Sequence, residues 1–95
     1  ENQHIRSYCY PNPIRENLGT IRVETIGAKK VEVKLYDLAG YHINTWSKDI
    51  YLSGKQIVEF PWNASKQESG VYFAYVEVTS DSGIESNVIK IAVIH

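Results

Sequence analysis

Apolar and polar residues alternate with a period of two along most of this chain. Ile21 and Val23 alternate with Arg22 and Glu24, which predicts a strand with one buried face from about Leu18. Gly27 breaks that pattern. Val31, Val33 and Leu35 then alternate with Glu32, Lys34 and Tyr36, the cleanest strand in the sequence. Asp37-Leu38-Ala39-Gly40 reads as a tight turn with glycine at its end, where positive φ is often needed. A further strand runs from Tyr41 to about Ser47. Its apolar residues, Ile43 and Trp46, are three positions apart, so a bulge is expected there.

After a turn at Ser53-Gly54, Val58, Phe60 and Trp62 alternate with Glu59 and Pro61. Pro61 cannot donate to a ladder, so this strand is expected to lie at an edge or to end there. Val71 to Thr79 is apolar on both faces, as a central strand of a two-layer core should be. Ser80-Asp81-Ser82-Gly83 is a hairpin turn. A last strand spans about Ile84 to Ile94, with Lys90 interrupting its apolar end. Six or seven strands with turns every 8–12 residues predict an all-β chain, an antiparallel β-sandwich of the immunoglobulin or fibronectin III type. A small barrel is the second possibility. Tyr8-Cys9-Tyr10-Pro11-Asn12-Pro13 reads as an extended lead-in set by its two prolines. The first seven residues, polar except Ile5, are expected to form a linker or frayed end, leaving residues 8–95 as one domain.

Composition supports this picture. At 43% hydrophobic and 22% charged residues, the chain is globular rather than disordered. Its 95 residues allow one domain. A net charge of −1 argues against a nucleic-acid partner, which requires a basic face. The longest apolar run, Val71 to Val76, is far short of the ~20 residues that span a bilayer. The chain lacks methionine, so it is expected to be a piece of a longer protein, with any signal peptide upstream of Glu1.

Candidate chemistry is sparse. His4, His42 and His95 are scattered and have no metal-ligand spacing, so neither a metal nor a cofactor is expected. Cys9, the single cysteine, has no neighbouring base to make it a nucleophile, and no Gly-x-Ser-x-Gly elbow exists. The pairs Ser53-Gly54, Ser69-Gly70 and Ser82-Gly83 read as turn chemistry. Asp37 can cap its own turn through an Asx arrangement. Calcium binding there lacks partner carboxylates nearby in sequence. Asn63-Ala64-Ser65 matches the short glycosylation sequon. Tyr36, Tyr41, Tyr51 and Tyr75 are candidate glycan contacts if they face outward. Tyrosines in sandwiches more often cap the core with a wet polar tip. No nucleophile, base or metal constellation points to an enzyme.

Four motifs occur in order: Tyr10-Pro11-Asn12-Pro13; Val33-Lys34-Leu35-Tyr36-Asp37-Leu38-Ala39-Gly40; Trp62 followed by Ser69-Gly70-Val71-Tyr72-Phe73; and Lys90-Ile91-Ala92-Val93-Ile94. Together they resemble the C-terminal sorting domain of proteins exported by the type IX secretion system of Bacteroidetes and related bacteria. They are also similar to the immunoglobulin-like domain of the flagellar hook-capping type. The resemblance covers Tyr8 to His95. It implies a seven-stranded sandwich without catalytic activity, read by an outer-membrane translocon as an export address. It further implies a sortase-like peptidase as partner, passage through the periplasm, and delivery to the cell surface or medium. The sorting residues it implies are Pro11, Asn12, Pro13, Tyr36, Asp37, Gly40, Gly70 and Lys90. Upstream domains of a parent chain are the remaining expected partner, and a monomer is expected. The alternative is an accessory immunoglobulin-like module, polysaccharide-binding or a spacer, attached to a secreted enzyme.

Overall fold

A computed structural model describes residues 5–95. Among them are seven strands: β1 (Ile5–Tyr10), β2 (Leu18–Ile26), β3 (Ala28–Asp37), β4 (His42–Asp49), β5 (Lys55–Asn63), β6 (Gly70–Ser80) and β7 (Gly83–Val93). They form two antiparallel sheets, one ordered β1-β2-β5 and the other β4-β3-β6-β7. The fold is therefore an immunoglobulin-like sandwich rather than a closed barrel. Each sheet keeps its edges, and the core lies between the two inner faces.

The alternation read from the sequence sets which side chains reach that core. Ile21 and Val23 on β2, Val31, Val33 and Leu35 on β3, Ala74 and Val76 on β6, and Ile91 on β7 are fully buried. Each such Val, Leu or Ile contributes roughly 1.5–3 kcal/mol relative to exposure. The bulge expected in β4 is present. Leu35 faces Asn44 and Tyr36 faces His42, so Ile43 is the extra residue. The slip allows both Ile43 and Trp46 to pack against the core. Pro61 lies on β5, an edge strand, and β6 is central between β3 and β7.

The linker expected over residues 1–7 is corrected in part. Ile5, Arg6 and Ser7 belong to β1 and pair with Thr25, Glu24 and Val23. Ile5 is buried, so its lone apolar side chain among polar neighbours is a core residue of an edge strand. Glu1 to His4 of that expected linker lie outside the described residues. The lead-in is also shorter than its sequence suggests, since Tyr8 to Tyr10 continue β1. The Tyr10–Pro11 and Asn12–Pro13 peptide bonds are cis.

The molecule measures 40 × 23 × 23 Å, so it has two distinct poles. β1 starts at one of them, beside the β2–β3, β4–β5 and β6–β7 turns, and ends at the other. The second pole gathers the end of β1, the start of β2, the β3–β4 turn, the β5–β6 loop and the end of β7.

Candidate functional site

The motif segments, scattered from residue 10 to residue 94, meet at that second pole. Its centre is a strap formed by Pro11 to Ile14, which crosses from the end of β1 to the free edge of β7. Asn12 faces the edge with its side-chain amide. Its Nδ2 donates to the Lys90 carbonyl at 2.9 Å, and its Oδ1 accepts from the Ala92 N–H at 3.0 Å. Ile14 continues with its backbone. Its N–H donates to Ala92 O at 2.8 Å, and its carbonyl accepts from the Ile94 N–H at 2.9 Å. The Ile14–Val93 bridge runs parallel. The Ile14 side chain is fully buried in the core. Gly19 makes room for it, because a Cβ at position 19 would lie 2.5 Å from Ile14 Cδ1 and 3.3 Å from Cys9 Sγ.

The β3–β4 turn is the next part of the pole. Asp37 Oδ1 accepts from the Tyr41 N–H at 2.9 Å, the Asx role read from the sequence. Gly40 has φ 95° and donates its N–H to Asp37 O at 3.0 Å. That conformation favours a residue without Cβ. Gly70 opens β6 opposite Val93. Two residues on, Tyr72 donates its hydroxyl to Glu68 O at 2.6 Å, and its ring meets Trp62 edge-on at 5.4 Å. This is a tyrosine corner, locking the β5–β6 loop to the core. Burial, then the charges of Glu68 and Asp37, raise the Tyr72 pKa, so the hydroxyl remains a donor. His95 closes the pole, its N–H donating to Ser69 Oγ at 2.9 Å.

Tyr36 and Lys90 mark the outer face of the four-stranded sheet. His42, Tyr36, Phe73 and Lys90 are register partners in one row across β4, β3, β6 and β7. Tyr36 packs edge-on against Tyr75 at 5.4 Å and against His42 at 5.6 Å. A groove of about 520 Å³ lies here, lined by Tyr36, Asp37, Gly40, Phe73, Tyr75 and Glu77 among others. The four tyrosines proposed for glycan contact do not form one strip. Tyr36 and Tyr75 are adjacent and Tyr41 is exposed on the nearby turn, but Tyr51 sits at the opposite pole. Pro11, Asn12, Pro13, Asp37, Gly40 and Gly70 are thus brought to one pole, with Tyr36 and Lys90 in one row at its margin.

Charge elsewhere is organised as a surface network. Arg22 bridges Glu24 at 3.1 Å and Glu59 at 2.8 Å, and Tyr10 donates its hydroxyl to Glu59 at 2.7 Å. The Arg22 bond lowers the Glu24 pKa, and the Tyr10 and Arg22 bonds lower that of Glu59. Such exposed pairs contribute little to stability. Cys9 is buried, and desolvation pushes its thiol up to about 11, which keeps it protonated and unreactive at neutral pH. Among the described residues no group of three His, Cys, Asp or Glu can hold a metal ion. Among the same residues no helix is long and apolar enough to cross a membrane.

Sequence reasoning missed Ile14, Ala64 and the Tyr72 corner. The corner had a readable signal, a tyrosine at the start of a central strand just after a polar loop. Ile14 and Ala64 lie in polar stretches where no periodicity marks them.

Comparison with known proteins agrees with this architecture. The family model described as "Secretion system C-terminal sorting domain" matches residues 8–91. Among solved structures, PorZ, a surface component of the type IX secretion system of Porphyromonas gingivalis, is similar at 29% identity and TM-score 0.56. The match covers 94% of this chain and only 11% of that one. The CARDB domain of PF1109 from Pyrococcus furiosus shares the fold at 17% identity and TM-score 0.53, over 99% of this chain and 95% of that one. The C-terminal domain of Wzt does so at 13% identity and TM-score 0.58, over 97% of this chain and 70% of that one. No curated protein matches the chain.

Proposed function

Because the chain belongs to the secretion system C-terminal sorting domain family, we propose that it is a non-catalytic handle that directs a larger secreted bacterial protein through the type IX system to the cell surface. One observation carries this reading: six motif residues from distant parts of the sequence converge on a single pole, with Tyr36 and Lys90 at its margin. The chain starts β1 at the other pole, so a preceding domain would hang from the end away from the motifs. A recognition surface that is far from its cargo can be read whatever that cargo is. The partners are a translocon and a sortase-like peptidase, met after passage through the periplasm. No pocket chemistry is needed, since folded shape and a few exposed side chains suffice for protein recognition.

The test is a fusion of residues 1–95 to a periplasmic reporter in a host with a type IX system. Surface delivery of the reporter is expected. Lys90→Ala and Tyr36→Ala, both outside the fully buried core, should reduce delivery while the domain stays folded by circular dichroism. A folded fusion that remains periplasmic overturns the proposal. A second reading, a polysaccharide-binding module, is favoured by the aromatic groove with Lys34, Asp37 and Glu77 at its walls. Glycan-array binding that is lost in Tyr75→Ala would support it, and absence of any array signal would remove it.

A further inference from the structure

The four-stranded sheet has two edges, β4 and β7, and an open strand edge offers its backbone to another chain. The direction of each edge group follows from the bonds around it. On β4, the Ile50 N–H donates to Lys29 O, and the register with β3 runs unbroken back to Asn44. Residues 44, 46, 48 and 50 therefore direct their backbone groups to β3, and the Thr45 N–H points out of the sheet. On β7, the Ala92 N–H and carbonyl both leave the sheet for the strap, so the Val88 N–H, four positions back, also points outward. Both outward N–H groups are taken by the side chain of the preceding asparagine. Asn44 Oδ1 accepts from the Thr45 N–H at 2.8 Å, and Asn87 Oδ1 accepts from the Val88 N–H at 3.0 Å. Asn87 is held from behind, since its Nδ2 donates to Ser7 Oγ on β1 at 2.7 Å. Asn12 does the same for Ala92 from the strap.

Asparagine is depleted in strands, because its amide competes for backbone groups. Here it stands at two core-facing positions, where alternation alone calls for an apolar residue. Asn44 is the register partner of Leu35 and Asn87 that of Val76, both fully buried. Lys48 continues the pattern on β4 as the exposed partner of buried Val31. Polar residues at core-facing positions of an edge strand, together with the bulge at Ile43, are the marks of an edge shaped against pairing. We propose that Asn44 and Asn87 are edge caps which, with the Asn12 strap, keep the four-stranded sheet from adding a strand of a second copy of this chain. A second copy is the partner excluded because each edge is self-complementary. Two β4 or two β7 strands related by a two-fold axis run antiparallel and would pair through the N–H groups that the caps occupy. The guarded sequence is itself prone to pairing. Val88 to Ile94 is apolar except for Lys90, and Val88 is half exposed. The inference stands on the domain alone and does not depend on the sorting reading.

The test removes the caps without adding a large apolar side chain, by Asn44→Ala and Asn87→Ala, singly and together. Association is read by sedimentation velocity from dilute to concentrated samples, and amide exchange by NMR on the same samples. In dilute solution the Thr45 and Val88 amides should exchange about fivefold faster once their caps are gone. As concentration rises, the unmodified chain should remain monomeric. The double variant should form dimers in which one of these two amides becomes protected again. The matched controls are Ser47→Ala and Ser86→Ala, on the outer faces of the same two strands, and both should leave the chain monomeric. A double variant that stays monomeric overturns the proposal. So does a dimer in which both amides still exchange as in dilute solution, equal association of the serine controls, or a dimer of the unmodified chain. Should the double variant fail to fold, Asn44→Ala alone decides by the same two readouts. Its dimer should form through β4 and protect Thr45, and a monomeric Asn44→Ala overturns the proposal.

Discussion

At the motif pole, Asn12 bonds to residues 78 and 80 positions away, and His95 reaches back 26 positions to Ser69. At the opposite pole, the β6–β7 turn is closed by Ser80 with Ser82 and Gly83, two and three positions apart. One end of the sandwich is thus tied by the two ends of the chain, the other by the β6–β7 hairpin and by backbone bonds between the two sheet-crossing turns, Gly27 N–H to Gly54 O and Ile50 N–H to Lys29 O. Both poles are closed against the core, the motif pole by Ile14, Ala64, Trp62 and Tyr72 and the other by Ile5, Ala28 and Ile50, but only the opposite pole carries an apolar pair as exposed as Tyr51 and Leu52, 90% and 69%. Long-range closure is the more demanding arrangement, because loop entropy is recovered only when distant segments meet.

The largest test of this contrast is Ile14→Ala. A fully buried aliphatic side chain is truncated, and the loss should be roughly 2–5 kcal/mol. In urea unfolding this appears as a lower midpoint with an unchanged slope. A loss near zero would show that the strap is not anchored and that the two poles are closed alike. Gly19→Ala attacks the same joint from the other side. Its Cβ would meet Ile14 Cδ1 at 2.5 Å, inside contact distance. Overpacking of this kind costs about 1–3 kcal/mol, so the variant should unfold at lower urea than the parent chain. A smaller effect is expected for Tyr72→Phe, which keeps the ring against Trp62 and removes only the bond to Glu68 O. The expected loss is about 1 kcal/mol by the same measurement.

These three positions also show what the sequence made legible. The period-two runs predicted the strands, the central place of β6, the edge place of β5 and the bulge at Ile43, because each is written in a local pattern. The β6–β7 turn and the Asp37 cap were readable for the same reason. Ile5 and Ile14 were not, since a single apolar residue in a polar stretch carries no period. Their burial is decided by segments 20 or more positions away, such as Thr25 opposite Ile5 and Val93 opposite Ile14. The motif residues could be named one by one through a family resemblance. That Asn12 holds the backbone of Lys90 and Ala92 required the fold, since no spacing rule connects an amide side chain to a strand edge so far along the chain.

The smallest expected effect comes from the opposite pole, and it is the sharper control. Tyr51→Ser and Leu52→Ser remove large apolar side chains, as Ile14→Ala does, so chemistry alone would rank them together. Position ranks them apart. Both side chains are mostly in water, and the nearby backbone bonds, Gly27 N–H to Gly54 O at 3.0 Å and Ile50 N–H to Lys29 O at 2.8 Å, do not involve them. Each change should therefore shift stability by no more than about 0.5 kcal/mol. Reporter export should be unchanged as well, since the pole that carries the motifs is untouched. If instead either variant destabilises the isolated chain as much as Ile14→Ala, the exposed pair is a part of the core and the division between a tied end and a free end is lost. If stability holds but export falls, the exposed apolar residues of this pole belong to the recognised surface, and the motif pole is only half of the address.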